Sequence, residues 1–496
     1  MAQVSRRSFM QAAVALAAGS VVPAGGRATG EPAAPKPAGA AAPPPPPAVT
    51  KTLARWAVAS RYEDLPANVR KEATRTLLNY VGVAVGGSHH ETVDIAVSAL
   101  SPFAGPAQAT LLGRRERLDV MNAAFVNGVS SHVFDYDDTH LKTIIHPGGP
   151  IISALLALAE YHPVDGQAFL DALVLGVEVA LRIGNAVYPD HYDRGWHITG
   201  TAGPFGAAVA AGKVLGLDEQ RMAWALGLAA SQPVGLRESF GSMNKSFNPG
   251  RAASNGLFAA ILASKGFTSS EGMIEAKRGW ANTISTKQDW REITDALGHR
   301  WEAALNTYKP FACGIVLHPA IDGAIQLRNE HHLVPDQIDR LELRVNPLVL
   351  ELTGKKTPQR GLEGKFSVYH AVAVALVEGA AGEKQFSDRA VRDPVVVALR
   401  SRVVPTVDPA VKPEQVDLTV VLKDGRRFPK HIEKAIGSVE VPMSDKALEA
   451  KFADLAEGIF PPAQSRRLMD LCWNVEKLPT AADIARAAAL TAITGR

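Results

Sequence analysis

Helical periodicity dominates the chain from about residue 50 to residue 300. Apolar residues recur there at three- and four-residue spacing, the pattern of helices that bury one face. Seven segments show this spacing: 69–85, 120–134, 149–161, 167–187, 200–215, 218–231 and 251–265. Residues 202–216 (AGPFGAAVAAGKVLG) are apolar on all sides and rich in Ala and Gly. Because small side chains let helix axes approach closely, these segments predict the central helices of a large bundle.

The pattern changes after about residue 305. Residues 341–345 alternate between apolar and polar, and two further predicted strands, 416–422 and 426–433, flank an Asp-Gly turn. Helical spacing occupies 365–379 and 388–402, and it returns in the C-terminal tail at 447–455, 465–471 and 481–489. We therefore predict a mainly α protein with an α+β second domain. The predicted divisions are a first part of the helical domain at 49–304, an α+β domain at 305–437 and a C-terminal part of the helical domain at 438–496.

The N-terminus has the features of a twin-arginine export signal. Arg6 and Arg7 precede Phe9 and an Ala-rich apolar run, which is shorter than the roughly 20 residues that a membrane span requires. We predict a signal peptide at 1–29, a Pro- and Ala-rich linker at 30–48, and no stable membrane span. We therefore expect a periplasmic or otherwise exported protein that uses the twin-arginine machinery. The alternative is a basic N-terminus without targeting meaning.

Charge and cysteine content exclude several classes of protein. The formal net charge is only +3, and residues 1–47 account for that excess. A nearly neutral body argues against a dedicated nucleic-acid binder, and 46% hydrophobic residues argue against intrinsic disorder. With two cysteines, Cys313 and Cys472, disulfides are not a major part of the fold. Neither a Walker loop nor a dinucleotide-binding glycine fingerprint is present.

Acids and imidazoles concentrate in residues 127–150 (NGVSSHVFDYDDTHLKTIIHPGGP), between two apolar helical segments. Groups that take and return protons near neutral pH, held by rigid elements, suit an acid/base site. The alternative is helix capping with a solvated loop, because Asp and Thr favour caps. The candidate residues of this stretch are His132, Asp135, Asp137, Asp138, Thr139, His140 and His146.

Three further places put polar residues into apolar surroundings. His197 precedes a predicted helix start, where helix N–H groups attract anions. Lys245 and Arg251 flank a loop that leads into another helix, and Lys309 lies at the entry to the second domain. Taken singly, each is more often a surface residue.

Two other chemistries are compatible with these residues. Asp135, Asp137, Asp138 and His140 on a helical body also suit a magnesium or diphosphate enzyme, because carboxylates bind that hard cation. Cys313 could act as a nucleophile with His318, although Cys is most often a buried apolar residue and a five-residue spacing does not show contact.

Five stretches together resemble the MmgE/PrpD family, in family order from about residue 50 to residue 460. They are HVFDYDDTHLKTIIHPGGP, RGWHITGTAGPFGAA, the Lys245 loop followed by GRAA, YKPFACGIVLHPAIDG and PMSDKALEAKF. The resemblance implies a large helical domain with a smaller α+β lid, usually as a homodimer. It also implies a site without cofactor or metal in the cleft between them. Family members act on small di- and tricarboxylates by elimination, decarboxylation or epimerisation next to a carboxylate.

The family's active-site positions fall on residues already singled out. They are Asp135, Thr139, His146, His197, Lys245 and Lys309. We expect Asp135, His146, His197 and Lys245 to be catalytic, with His146 or His197 transferring the proton and Asp135 orienting the imidazole or exchanging protons itself. We expect Thr139, Lys245, Arg251 and Lys309 to bind a small polycarboxylate through charge-assisted hydrogen bonds.

The resemblance therefore implies a cofactor-free lyase that dehydrates or decarboxylates its substrate after proton abstraction. An epimerase or isomerase on a similar acid, and a non-catalytic carboxylate-binding relative, are the alternatives. One position departs from the family pattern, because Asn248 stands where relatives commonly carry His. That departure leaves the exact substrate open.

Overall fold

A computed structural model describes residues 47–490, so the predicted signal peptide and nearly all of the predicted linker lie outside the described residues. Helices account for most of residues 47–300. They are α1 (Val49–Ala59), α2 (Ala67–Gly87), α3 (Glu91–Leu100), α4 (Val120–Ser130), α5 (Gly148–Tyr161), α6 (Gly166–Val187), α7 (Asp190–Asp193), α8 (Ile198–Val214), α9 (Glu219–Ala230), α10 (Asn244–Ser264), α11 (Trp280–Ile284) and α12 (Trp290–Thr294).

The remainder of the described chain is mixed. Its helices are α13 (His318–His331), α14 (Pro347–Thr353), α15 (Gly361–Gly364), α16 (Val368–Glu378), α17 (Asp388–Arg392), α18 (Pro394–Arg400), α19 (Asp445–Ala456), α20 (Pro462–Trp473) and α21 (Ala482–Ala487). The strands of residues 47–490 are β1 (Ala109–Thr110), β2 (Arg117–Leu118), β3 (Asp138–His140), β4 (Asn306–Tyr308), β5 (Ile338–Val345), β6 (Val403–Val407), β7 (Val416–Leu422) and β8 (Arg427–Ile432).

The strands form one four-stranded sheet and two short pairs. The larger sheet has the order β6-β5-β7-β8, with β5 parallel to β6 and antiparallel to β7. Helices α13 and α16 contribute to the same apolar core as this sheet. These elements confirm the prediction of a mainly α protein with an α+β region, and the exact domain boundaries remain a prediction.

Helix packing in the bundle depends on close backbone approach. A Cβ at Gly128 of α4 would lie 2.6 Å from the Cα of Gly250 in α10, and one at Gly206 of α8 would lie 2.6 Å from the carbonyl oxygen of Gly176 in α6. Such distances leave no room for a side chain. The Gly- and Ala-rich segments therefore build the tightly packed central helices that their composition predicts.

Two of the differences from the predicted helix boundaries involve a proline. Helix α10 begins at Asn244 and not at residue 251, because Pro249 is accommodated inside the helix. Lys245 therefore lies in a helical first turn and not in a loop. The predicted helix at 388–402 is two helices, because Pro394 begins a new helix that Asp393 caps.

Between residues 47 and 490, no helix combines the length and the apolar character that a membrane crossing needs.

Candidate active site

A cavity of about 970 Å³ opens between the helical bundle and the α+β region. Six of the seven residues predicted for catalysis or binding line it: Asp135, Thr139, His146, His197, Lys245 and Lys309. The seventh, Arg251, is exposed and does not line the cavity. At about 100° per residue, Arg251 points away from Lys245, which lies six positions earlier on α10.

Asp135 lies at the centre of the polar end of the cavity. Its Oδ1 atom accepts hydrogen bonds from the Nζ atoms of Lys245 and Lys309, both at 2.6 Å. Lys309 also donates to the backbone carbonyl of Asp135 at 3.0 Å. The φ of Asp135 is 51°, an uncommon backbone conformation that tends to cluster at functional sites. Two lysines from separate elements therefore converge on one carboxylate.

The charges of this cluster favour an anionic ligand. Burial opposes ionisation of Asp135, but the two ammonium groups outweigh it and hold the pKa of Asp135 well below its usual value. Burial also lowers the pKa of Lys245, and Asp135 partly opposes that shift. With the carboxylate ionised and both lysines protonated, the cluster has one positive charge in excess. The N-terminus of α8, next to His197, adds a partial positive charge.

The antiparallel pair β3–β4 brings the two halves of this cluster together. Thr139 pairs with Thr307, whose Oγ1 donates to the Thr139 carbonyl at 2.6 Å. Lys309 directly follows β4, so the pairing places its side chain against Asp135. Three-residue strands are too short to give a clear alternation in the sequence, which is why the sequence analysis missed this pair.

Hydrogen bonds identify the protonated nitrogen of His146. Its Nδ1 atom lies 2.8 Å from the backbone carbonyl oxygen of Asp138 and 3.1 Å from the hydroxyl of Thr139. A carbonyl oxygen only accepts, so Nδ1 carries the hydrogen in the neutral ring. Burial lowers the pKa of His146 to about 3. The ring is therefore neutral at pH 7, with an unprotonated Nε2 in a residue that lines the cavity.

His197 has the opposite arrangement. Its Nδ1 atom lies 2.9 Å from the side-chain nitrogen of Asn248, which also donates to the hydroxyl oxygen of Ser239 at 3.2 Å. The hydroxyl of Ser239 donates its hydrogen to the carbonyl of Leu236 at 2.7 Å, so its oxygen can only accept from Asn248. The atom of Asn248 that faces Ser239 is therefore the amide nitrogen. Nδ1 of His197 is therefore an acceptor. Burial lowers the pKa of His197 well below its usual value, so the neutral ring carries its hydrogen on Nε2.

The site thus combines two neutral imidazoles in complementary tautomers. His146 can accept a proton at Nε2, and His197 can donate one from Nε2. Asn248, which the sequence analysis treated only as a departure, supports the second of these states. Its position in the sequence did not signal this role, because the contact joins residues 51 positions apart.

Two buried lysines outside the predicted set hold the backbone around Asp135. Lys451 donates to the carbonyls of Tyr136 at 2.6 Å and Lys309 at 2.9 Å, and to Asn79 Oδ1 at 2.8 Å. Its side chain lies on the apolar face of α19, beside Phe452. A lysine on an apolar helix face is unusual, and this was the signal available in the PMSDKALEAKF stretch.

Lys365 makes similar contacts on the other side of Asp135. It donates to the carbonyls of Phe134 at 2.6 Å and Ala312 at 3.0 Å, and it pairs with Glu383. Segment 134–136 is therefore joined to segment 309–312 on both sides of Asp135. These contacts satisfy carbonyl groups that would otherwise be buried without a donor.

Other members of the acidic stretch lie behind the cavity wall. The Nδ1 atom of His132 is 2.6 Å from Asp137 Oδ2, and both side chains are buried. Asp138 accepts from the backbone N–H of Gly148 at 2.9 Å and from the side chain of Asn306 at 2.8 Å. Neither acid lines the cavity, so the run of acids that suggested a magnesium motif does not converge on one open position.

A different donor set, His132, Asp135 and His146, has its atoms within 4.8 Å of one another. Asp135 is already paired with two ammonium groups at 2.6 Å, which repel a cation. The chemistry of this set therefore fits an anion better than a metal ion.

Cys313 is fully buried and does not line the cavity. Burial raises the pKa of its thiol, which disfavours the nucleophilic thiolate. The geometry therefore does not favour the Cys313–His318 interpretation.

Comparisons with known proteins show the family to which the chain is similar. The chain matches the MmgE/PrpD N-terminal domain over residues 51–293 and the MmgE/PrpD C-terminal domain over residues 311–475. It is 26% identical to cis-aconitate decarboxylase from Aspergillus terreus (strain NIH 2624 / FGSC A1156) over 462 residues, covering 87% of this chain and 94% of the relative.

Two further relatives also match over most of their length. Human cis-aconitate decarboxylase is 27% identical over 432 residues, covering 84% of this chain and 89% of the relative. The 2-methylcitrate dehydratase of Cupriavidus necator is 24% identical over 402 residues, covering 73% of this chain and 81% of the relative. Matches to both domain families, in order and over most of the chain, show that this protein belongs to the MmgE/PrpD family.

Proposed function

We propose that this protein is a lyase that acts on a di- or tricarboxylate by proton abstraction from a carbon next to a carboxylate. The observation that carries the proposal is the pair of neutral imidazoles in complementary tautomers beside two ammonium groups. The names of the relatives, a decarboxylase and a dehydratase, support the same class of reaction. The reaction requires no group beyond the side chains described.

Substrate binding follows from the charge of the polar end. Lys245 and Lys309 each retain hydrogens beyond those they donate to Asp135, so both can also bind a substrate carboxylate. Thr139 adds a hydroxyl on the same wall. These cations stabilise the negative charge that develops on a carboxylate when the neighbouring carbon loses a proton.

His146 and His197 then divide the proton transfers. In a dehydration, Nε2 of His146 takes the proton, the C–O bond breaks, and the leaving hydroxide takes a proton from Nε2 of His197 and departs as water. In a decarboxylation, the C–C bond to the leaving carboxylate breaks, carbon dioxide departs, and the carbanion takes its proton from Nε2 of His197, which regains one from solvent. In this case the imidazole pair supplies a proton instead of abstracting one. Asp135 keeps the lysines in place in both cases.

The same pair of imidazoles also suits a second candidate function, an epimerase or isomerase. One ring would remove a proton and the other would return one to the opposite face, with no group leaving. A non-catalytic carboxylate-binding protein is the third possibility, and the intact acid/base pair argues against it.

The test is incubation with a panel of di- and tricarboxylates in deuterated water, followed by NMR. A lyase yields an unsaturated or decarboxylated product, whereas an epimerase yields the starting acid with deuterium and inverted configuration. Binding in calorimetry without exchange or product for any acid would refute catalysis. The double variant with His146→Gln and His197→Gln serves as the blank.

Export and assembly remain proposals. We propose that the twin-arginine leader directs export and that the protein is a homodimer, as the family resemblance implies. Replacing Arg6 and Arg7 with lysine should leave the protein in the cytoplasm in a fractionation experiment. Light scattering of the mature protein should give twice the mass of one chain, and a monomeric mass would refute the dimer.

A further inference from the structure

The cavity extends well beyond the two ammonium groups. Its volume of about 970 Å³ lies near the upper end of the roughly 300–1,000 Å³ that pockets for drug-sized ligands occupy. A neighbouring cavity of about 500 Å³ shares Ile144, Tyr192 and Ile315 with it, so the space continues past these side chains. A small polycarboxylate bound to Lys245 and Lys309 would fill only the inner part.

The outer wall of this space is apolar. Six aliphatic side chains from four segments form this part of the wall: Leu236, Ile315, Val316, Leu350, Leu352 and Leu362. All six are partly or fully exposed, and Leu236 is 53% exposed. Covering exposed aliphatic groups with hydrocarbon lowers the free energy, because apolar surface is removed from water. The wall is therefore suited to an apolar part of a ligand.

Ile144 stands at the junction of the inner and outer parts. Its φ is 60°, a strained conformation for a β-branched residue. A hydrogen bond from its N–H to the carbonyl of His140 at 2.8 Å holds the backbone in place. Because such strain persists mainly at functional sites, this placement of an apolar side chain beside His146 is a second sign of an apolar ligand group.

Besides Lys245 and Lys309, the lysines and arginines that line the cavity are Arg194, Arg237 and Lys355. Lys355 donates to Glu363 at 2.5 Å, and Arg237 lies 4.2 Å from the ring centre of Tyr192 and donates to its carbonyl at 3.3 Å. Lys355 is therefore paired with an acid, whereas Arg194 and Arg237 keep positive charges that no carboxylate of the described residues neutralises.

We propose that the acid bound in this cavity carries an alkyl substituent of several carbons. Its carboxylates lie against Lys245 and Lys309, and its chain lies along the apolar outer wall past Ile144. The carboxylate end of this proposal rests on the proposed function, and the apolar end rests on the wall residues alone.

Calorimetry with succinate and a series of alkylsuccinates, from methyl to octyl, tests the proposal on the full-length mature protein. We expect Kd to fall by about threefold per added methylene until the wall is covered, because each methylene leaves water for an apolar surface. A Kd that does not change with chain length, or that rises, would overturn the proposal.

Variants of the wall residues test where the alkyl substituent of the ligand binds. Leu236→Ser combined with Leu352→Ser should remove most of the chain-length dependence, whereas Leu305→Ser, at a 40% exposed leucine outside the cavity, should retain it. Succinate binding by each variant reports that the inner site is folded. A chain-length dependence that survives the double variant would mean that the chain binds elsewhere, which contradicts the proposal.

The two proposals fail in distinguishable ways. Tighter binding of longer alkylsuccinates without turnover of any acid would refute the lyase and leave the apolar subsite standing. Turnover of small polycarboxylates together with a flat alkylsuccinate series would refute the apolar subsite and leave the lyase.

Discussion

The two sides of segment 132–146 contain the same residue types in opposite surroundings. On the cavity side, Asp135 meets two ammonium groups, and His146 faces open space. On the interior side, Asp138 meets only amide donors, and His140 lies against Glu302. Residue type alone therefore does not distinguish a candidate catalytic residue from a structural one within this stretch. The groups that each side chain contacts make that distinction.

The pKa values express this difference. Burial and the neighbouring Asp137 raise the pKa of Asp138 to about 7, whereas the two lysines hold the pKa of Asp135 well below its usual value. These carboxylates are three residues apart, and both are buried. An acid whose charge is compensated can serve a site, while an uncompensated one acts on stability.

His146→Gln should have the largest effect, a fall in kcat of about 10²- to 10⁴-fold, because it removes the unprotonated Nε2. His140→Gln is the matched control on the interior side, where Nδ1 contacts Thr143 at 2.8 Å. Steady-state kinetics with circular dichroism would measure both. Equal losses in the two variants would erase the distinction between the sides.

Lys309→Met should lower kcat/KM by about 10²- to 10³-fold, the usual cost of losing one charge-stabilising donor. Lys213→Met is the control, since Lys213 is partly buried and also donates to backbone carbonyls, those of Ala57, Val58 and Ser60, but lies outside the cavity. Both variants should lose stability. A comparable loss of kcat/KM in Lys213→Met would show that any buried lysine acts in the same way.

Lys451→Met should lower kcat by about tenfold, because the carbonyls of Tyr136 and Lys309 lose their donor and Asp135 shifts against its lysines. Its unfolding free energy should fall about as much as that of Lys213→Met, which keeps kcat near normal. Thermal melts and kinetics on the same preparations separate the two effects. An unchanged kcat in Lys451→Met would refute a positioning role.

The pH profile should show a smaller effect, a change of less than about twofold in kcat/KM between pH 7 and pH 5. Burial lowers the pKa of His146 to about 3, so its neutral form, which accepts the proton, persists until the pH approaches that value. The fall in kcat/KM on the acid side of the profile should therefore begin below pH 5. A limb near 6.5 would indicate an ordinary, solvated imidazole as the base.

Asp138→Asn should change kcat by less than about threefold and instead alter how stability depends on pH. The native group, with its pKa raised to about 7, contributes stability that is fully present below its unfolded pKa of about 3.9 and is lost as the pH rises to about 7. The variant lacks this loss. Urea unfolding at pH 5 and pH 8 should therefore show a flatter dependence in the variant, and identical slopes would contradict the raised pKa.

Much of the fold follows from apolar spacing alone. The helix predicted at 167–187 is observed as Gly166–Val187, and the strand predicted at 416–422 is observed with those bounds. Elements defined by long-range contacts were missed, as with β3 and β4, whose partners are separated by more than 160 residues. Side-chain periodicity contains no information about such pairings.

For the candidate site, the sequence predicted which residues line one cavity better than it predicted the residues that hold them in place. Residue types identified Asp135, His146, His197 and the two lysines, and the structure brings them around one cavity. Arg251 was misplaced because Pro249 suggested a later helix start. Asn248, Lys365 and Lys451 act through backbone atoms or a single ring nitrogen, and neither contact is visible in a sequence.

The glycine contact between α4 and α10 limits how this protein can change over evolution or in the laboratory. A Cβ at Gly250 would lie 2.5 Å from the carbonyl oxygen of Phe125, so this crossing tolerates no side chain. Lys245 begins the same helix, and its position is inherited with the crossing. Libraries aimed at new substrates should therefore diversify the exposed leucines of the outer wall and leave α10 untouched.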